Sequence, residues 1–398
     1  MNETVGMWAK IKRTVSAPID PWLFFPMLAI YIMSLFLLYS ADGQDFGQLE
    51  HKTLHTVVGF ALLWFVASFK PRDAAKVALP MYLIGVLLLV AVEVAGVTVN
   101  GSTRWLELGF TRIQPSEIMK IVLPMTVAWY FQRHEGCLKW FHYAIAMLLI
   151  LIPVALILKQ PDLGTAVLIM ASGIFIVFFA GLPWKVIFAA IVAFVAALPL
   201  LWNYGMHDYQ KTRVLTLFDP TQDPLGAGYH IIQSMIAIGS GGVWGKGWLN
   251  GTQTHLDYIP ESTTDFIFAV YGEEFGLIGN ILLLLVYLVI LTRGLLIAAK
   301  AQSLYSRTLA GALTMTFFCY AFVNMGMVSG ILPVVGVHVL VQPQFQRVAR
   351  YGGNEFQRVA VGQFVFGLTL ELRVEDAGGE DEGGFAEHVV ALYFYAAR

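Results

Sequence analysis

Charge is what this chain has least of: Asp, Glu, Lys and Arg make up only 13% of its 398 residues, while 57% are hydrophobic. A soluble domain carries about 25% charged and about 45–50% apolar residues. The composition therefore excludes an ordinary soluble domain and predicts an integral membrane protein. An excess of positive charge is missing too. With 25 basic against 27 acidic residues the formal net charge is −2, which excludes the basic surface that a nucleic-acid partner requires. Cysteine is scarce. Cys137 falls in a short connection and Cys319 in an apolar run, so a disulfide framework is excluded and free thiols are expected.

What is present instead is a series of apolar runs, at 21–40, 55–69, 77–97, 116–131, 141–158, 163–182, 186–202, 266–291 and 308–332. About 20 apolar residues in a helix cross a hydrocarbon core of about 30 Å, and an open sheet would leave backbone groups unpaired in lipid. The expected fold is an all-α polytopic membrane helix bundle of about nine transmembrane helices. The first run follows Lys10, Lys12 and Arg13 and is too long for a signal-peptide core, so it is expected to stay as the first membrane helix. Connections on the side of the amino terminus, among them those with Lys70, Arg72, Lys76, Arg133 and Lys139, outweigh the opposite side in Lys and Arg. That bias places the amino terminus in the cytoplasm and the long polar segment 203–264 outside. Connections of such length usually carry function. Beyond 340 the character changes. Phe364, Phe366, Leu368, Leu370, Leu372 and Val374 alternate as in a strand, 377–384 reads as a Gly- and acid-rich turn, and 388–395 reads as a second strand. The expected division is a membrane domain over 1–340 and a separate tail over 341–398.

The outward segment holds the candidate chemistry. Residues 231–238 read as a short, mostly apolar helix, either lying on the membrane to grip a lipid tail or packed on the bundle. Gly239-Ser240-Gly241-Gly242-Val243-Trp244-Gly245-Lys246-Gly247 could nest a pyrophosphate with its amides or form a flexible turn; it does not match the Walker pattern. Ser262-Thr263-Thr264-Asp265 precedes the apolar Phe266-Ile267-Phe268-Ala269-Val270. That order fits a capping box, with Asp265 satisfying amides at a helix start. It also fits a carboxylate at the membrane face, able to take a proton from a hydroxyl or to hold a divalent cation. Spacing alone leaves both readings open.

Within the apolar runs, Glu117 and Lys120 stand at i and i+3, where they can pair on one helix face. Ionisable residues at membrane depth are costly and mark cavities or pathways, unless they sit at a helix end and reach the interface. Glu93 is a weaker case, and Glu273 with Glu274 is expected near a helix end. Arg104-Trp105 and Arg112 lie in an outward connection, where an Arg could meet a phosphate and an aromatic ring a sugar face. An interfacial Trp also belongs to the ordinary aromatic belt.

Several motifs now stand in one order: Arg104-Trp105, Gln114-Pro115-Ser116-Glu117 with Lys120, Gln160-Pro161-Asp162-Leu163-Gly164-Thr165-Ala166, Arg213-Val214-Leu215, Asp223-Pro224-Leu225-Gly226-Ala227-Gly228-Tyr229, and Glu261-Ser262-Thr263-Thr264-Asp265-Phe266. Together, over about 21–336, they resemble the SEDS family, in particular its cell-elongation branch. The resemblance implies a ten-helix bundle in the bacterial cytoplasmic (inner) membrane. It also implies a peptidoglycan glycosyltransferase that polymerises lipid II, with a class B penicillin-binding protein as partner. Asp265 matches the family's essential loop aspartate. Glu117 and Lys120 match residues lining its central cavity, and Arg104, Trp105 and Arg213 are expected on the substrate. The mechanism the resemblance implies has room for a divalent cation, Mg or Mn, and requires no cofactor. Two other classes stay open: a transporter that flips lipid II, and a scaffold that only recruits the penicillin-binding protein. The pattern departs after Pro333-Val334-Val335-Gly336. The family continues with Pro-Leu-Pro, Ser-Tyr-Gly-Gly and a tenth helix, whereas unrelated sequence begins here at His338 and Tyr351-Gly352-Gly353 does not restore the pattern. A frameshifted or truncated reading frame, with the tail left outside, is the expectation.

Overall fold

A computed structural model describes residues 20–43, 46–67, 71–99, 102–107, 112–160, 162–205, 208–222, 227–256, 258–259, 262–263, 265–332, 370–376 and 379–385. Its helices are α1 (Pro21–Ala41), α2 (Phe46–Ala67), α3 (Pro71–Ala95), α4 (Pro115–Arg133), α5 (Trp140–Lys159), α6 (Leu163–Phe179), α7 (Trp184–Leu200), α8 (Asp208–Phe218), α9 (Ala227–Gly241), α10 (Thr252–His255), α11 (Ile267–Lys300) and α12 (Leu304–Val328). Each apolar run of the sequence is met by a helix. Among the described residues, α1, α3, α5, α11 and α12 are long and apolar enough to cross a membrane, and α6 and α7 are apolar but shorter. The molecule is a multi-pass membrane helix bundle.

α12 is the hub. It packs on α4, α6 and α11, while α11 also packs on α1 and α9. Its hydroxyls are absorbed locally: Thr308, Thr314 and Thr316 each donate to the carbonyl four residues earlier, which spares the interior an unpaired polar group. By contrast, α7 has no buried residue. α11 runs to Lys300, beyond the apolar run that ended at 291. Its Arg293 reaches Asp20 at 2.6 Å, at the start of α1, where Asp20 also caps the helix through the amide of Trp22 at 3.0 Å.

Strands are minor. β1 (Val97–Val99), β2 (Ser102–Glu107) and β3 (Arg112–Ile113) form an antiparallel sheet in the connection between α3 and α4. In the tail, β4 (Leu370–Asp376) pairs antiparallel with β5 (Gly379–Phe385). β4 falls on the alternating stretch, but β5 occupies the residues read as an acidic turn. The strand expected at 388–395 lies outside the described residues, as does 333–369.

The segment between α7 and α11 is far more ordered than its polarity suggests, because it folds into α8, α9 and α10. The apolar helix expected over 231–238 belongs to α9, which packs on the bundle: Ser234 Oγ donates to the Val328 carbonyl at 2.9 Å. The glycine-rich stretch that follows is a turn that spends its Lys246 and Gly247 amides on α11. It clasps a break in α11 at Gly276, whose φ of 63° and ψ of −160° are closed to other residues. The amides of Lys246 and Gly247 donate to the carbonyls of Glu273 and Glu274, both at 3.0 Å. In return, the amides of Leu277 and Ile278 donate to the carbonyls of Gly242 and Val243, at 2.9 and 3.2 Å. The bonds lost at the break are thus remade across the loop, as a broken helix within a membrane requires. Glycine makes the approach possible, since a Cβ on Gly276 would stand 2.3 Å from the Gly245 nitrogen.

Gly276→Ala is therefore expected to destabilise the fold by at least about 1–3 kcal/mol from backbone strain alone, seen as a lower thermal midpoint in detergent. Gly239→Ala, in α9 with nothing within 4 Å of the added carbon, should leave the midpoint unchanged or raise it.

Candidate functional site

Pro115 starts α4 at a position where its missing amide is harmless, and this fixes Glu117 and Lys120 in the first turns. The Lys120 Nζ lies 2.5 Å from Glu117 Oε1, and both side chains are buried. The ring of Tyr320, on α12, receives the ammonium at 5.6 Å, a cation–π contact strengthened by the loss of water. Asp162 caps α6, accepting from the Thr165 amide at 3.1 Å. Its other oxygen takes Arg104 Nη1 at 3.2 Å, and Asp162 lies within electrostatic reach of Lys120. Arg104 itself is carried on β2. A polar column thus runs from β2 through the start of α6 to α4 and α12. A buried ion pair is costly to assemble and more costly to break, so this concentration in an apolar bundle marks a candidate site.

Asp265 immediately precedes α11. The N-cap of that helix is Phe266, which offers no side-chain hydrogen bond, so the helix begins later than a cap at Ser262 would require. The capping box is out of register, and Asp265 stands before the cap. Two contacts hold the turn. Phe266 is buried and stacks on His230 of α9 at 5.4 Å, and Asn324 Nδ2 of α12 donates to the Asp265 carbonyl at 2.9 Å. The half-buried Asp265 side chain leaves from the same turn. Tyr320 and Asn324 are i and i+4 on α12, one face and about 6 Å of rise apart. One helix face therefore touches both the Glu117–Lys120 pair and the Asp265 turn.

A second buried carboxylate anchors the outward segment. Glu273, fully buried on α11, accepts from Lys246 Nζ at 2.6 Å, Thr252 Oγ1 at 3.2 Å, the Gln253 amide at 3.0 Å and Thr254 Oγ1 at 3.4 Å. Its neighbour Glu274 accepts from Ser40 of α1. These glutamates lie near the helix start, as their sequence position suggests, yet they face inward and secure the loop. Trp248 adds a third tie, donating its ring N–H to the Phe36 carbonyl at 3.0 Å.

The structure thus brings Arg104, Glu117 and Lys120 together, and links Asp265 to them through α12. Trp105 is half-buried on β2, opposite Val97 of β1, and is not joined to the column by any ring contact described. Arg213 lies on α8 and Arg112 on β3, but their side chains fall outside the described residues. Glu93 pairs with Lys159 at 2.8 Å, apart from the column. Sequence reasoning passed over Tyr320 and Asn324, which sit in an apolar run with no local signal. It also passed over the role of Asp162, although the residue before Leu163-Gly164-Thr165 was open to reading as a cap.

Comparison with known proteins bears on this arrangement. A family model described as cell cycle protein, FTSW_RODA_SPOVE, matches residues 14–342. The chain belongs to the FtsW/RodA/SpoVE family. Among members of this family, the peptidoglycan glycosyltransferase MrdB of Escherichia coli (strain K12) is 46% identical over 354 residues, covering 89% of this chain and 93% of that protein. A probable peptidoglycan glycosyltransferase FtsW of Geobacter metallireducens is 34% identical over 359 residues, 89% of this chain and 92% of the relative. A solved chain from a peptidoglycan synthase complex that coordinates polymerization and crosslinking superposes with a TM-score of 0.71 at 25% identity, over 95% of both chains. The rod shape determining protein RodA of Thermus thermophilus shares the fold, with a TM-score of 0.59 at 24% identity over 95% of this chain and 94% of that one.

Because Glu117 and Lys120 neutralise one another out of water, Glu117→Gln or Lys120→Met alone should cost about 3–5 kcal/mol by stranding a charge. The double variant should be more stable than either single one. Thermal midpoints of the three purified variants check this, and additive losses would show that the pair is not coupled.

Proposed function

We propose that this chain joins lipid II units into glycan strands at the outer face of the bacterial cytoplasmic membrane. It is a peptidoglycan glycosyltransferase of the FtsW/RodA/SpoVE family. The observation that carries the reading is its 46% identity to the E. coli enzyme over 93% of that protein. The buried charged column and the Asp265 turn, meeting one face of α12, supply residues suited to the chemistry.

In the reaction, the Asp265 carboxylate takes the proton from a sugar hydroxyl of the acceptor. The freed oxygen attacks the anomeric carbon of the lipid-linked donor and forms the new glycosidic bond. The bond from that carbon to the diphosphate breaks, and undecaprenyl pyrophosphate leaves with the electron pair. Lys120 and Arg104 supply positive charge along the column, Arg104 being suited to a phosphate by its planar fork. Trp105 and Arg213 are assigned to the sugar and to the lipid-linked phosphates. Among the described residues no group of three or more His, Cys, Asp or Glu could hold a metal ion. A divalent cation, Mg or Mn, stays part of the reading. Such a cation would come with the diphosphate, which is how Mg is commonly held, and no step is routed through it.

A class B penicillin-binding protein is the proposed partner, supported by the likeness to a chain of a synthase complex in which polymerization and crosslinking are coordinated. Asp265→Ala is expected to lower glycan polymerisation from labelled lipid II by about 10²- to 10⁴-fold, with folding and partner binding intact. Unchanged polymerisation would sink the assignment of the base. Lipid II translocation in liposomes without any glycan product would favour transport over synthesis.

A further inference from the structure

Among the polar side chains of the hub helix α12 that the proposed reaction does not use, Tyr320 and Asn324 meet the candidate site. Asn324 is the informative one. It spends its amide N–H on a main-chain carbonyl, that of Asp265 at 2.9 Å, while its own Oδ1 is buried and has no hydrogen-bond partner among the described residues. Buried polar atoms are nearly always paired, so an amide left half-used is a poor choice for packing alone. An apolar side chain of similar volume would have avoided the unpaired oxygen. What the amide does accomplish is to pin the peptide from which the Asp265 side chain departs.

The pin is set on the helix to which much of the bundle is tied, at a half-buried stretch of it. α12 packs on α4, α6 and α11, and one turn before Asn324 the ring of Tyr320 lies against Lys120. The position of the Asp265 turn is therefore referred to the same helix face that holds the Glu117–Lys120 pair. A further restraint on the turn, the stacking of Phe266 on His230, fixes the residue after Asp265 but offers no directed bond to the Asp265 carbonyl.

We infer that Asn324 is a positioning residue for the reaction: it fixes the Asp265 main chain to α12, so that the carboxylate meets the acceptor hydroxyl at a set distance from the Glu117–Lys120 pair. Asn324 touches no reacting atom in this account. The inference rests on Asp265 acting as the base, and the experiment separates the two claims.

The test is Asn324→Asp in the full chain with its partner. This substitution keeps the shape of the side chain but, when ionised, removes the N–H donor and sets negative charge against the carbonyl. A misplacement of about 1 Å costs about 10²-fold in a positioned reaction. The expected result, in folded protein, is a kcat for lipid II polymerisation lowered about 10- to 100-fold and a KM within about 2-fold of the parent. Asn324→Ala, which removes the donor without adding charge, should show the same split between kcat and KM. Parent kcat in Asn324→Asp overturns the proposal. So does a loss that appears only in KM or only in the thermal midpoint, since either would mark a binding or a purely structural role. Asp265→Asn is measured alongside. If it polymerises at the parent rate, the base assignment fails, and the positioning role with it. If it is inactive while Asn324→Asp is fully active, only the positioning role falls.

Discussion

The constraint on which the rest of this structure depends is that a backbone at membrane depth has no water to pair with. α11 breaks that continuity at Gly276, and the cost is met by the loop 242–247, which returns two donors and two acceptors to the severed helix. The break and the loop are therefore one feature. Without the clasp, α11 would have to run straight from Lys300 to the turn that carries Asp265. With it, the first part of α11 is set at its own angle, and α9, which leads into the clasp, comes to rest beside the Asp265 turn through His230 and Phe266.

Charge is handled by the same economy. Three ion pairs bury charge in this region: Glu117 with Lys120, Asp162 with Arg104, and Glu273 with Lys246. The partners lie on different elements in two of the three cases, so the ion pairs also tie β2 to α6 and the outward loop to α11. Such pairs add little net stability over apolar packing, but their geometry is unforgiving, because a charge without its partner has nowhere to go.

The helices were legible in the sequence because an apolar run of about 20 residues has one solution in lipid. Their ends were less so: polar Arg293 stopped the apolar run near 291, while the helix continued because that side chain found Asp20 across the bundle. Asp265 was ambiguous for a local reason, since Ser262 and the following apolar residues fit a cap that the helix does not use. Family motifs, not spacing, singled it out. The rest of the site was out of reach because its bonds are long-range: Arg104 meets Asp162 across 58 positions and Asn324 meets Asp265 across 59. No window of sequence contains both partners. Within 203–264 the apolar stretch 231–238 was read as a helix, whereas α10 and the clasp were missed, since they are held by a buried Glu273 and by glycine-enabled backbone contact, which leave no hydrophobic period to read.

The clasp also bears on the sequence of events during synthesis. Lys246 and Glu273 are only 27 residues apart, whereas Ser40 and Glu274, which join α1 to the same stretch of α11, are separated by 234. Contacts close in the chain form with a small loop-closure cost. The outward loop and the first part of α11 can thus begin to assemble as soon as both have emerged, and α12 then adds its bonds to Ser234 and to the Asp265 carbonyl. α1, inserted long before, waits for that unit to arrive. The end of the molecule that carries the candidate site is then a late-made module with early internal order, docked onto helices already in the membrane.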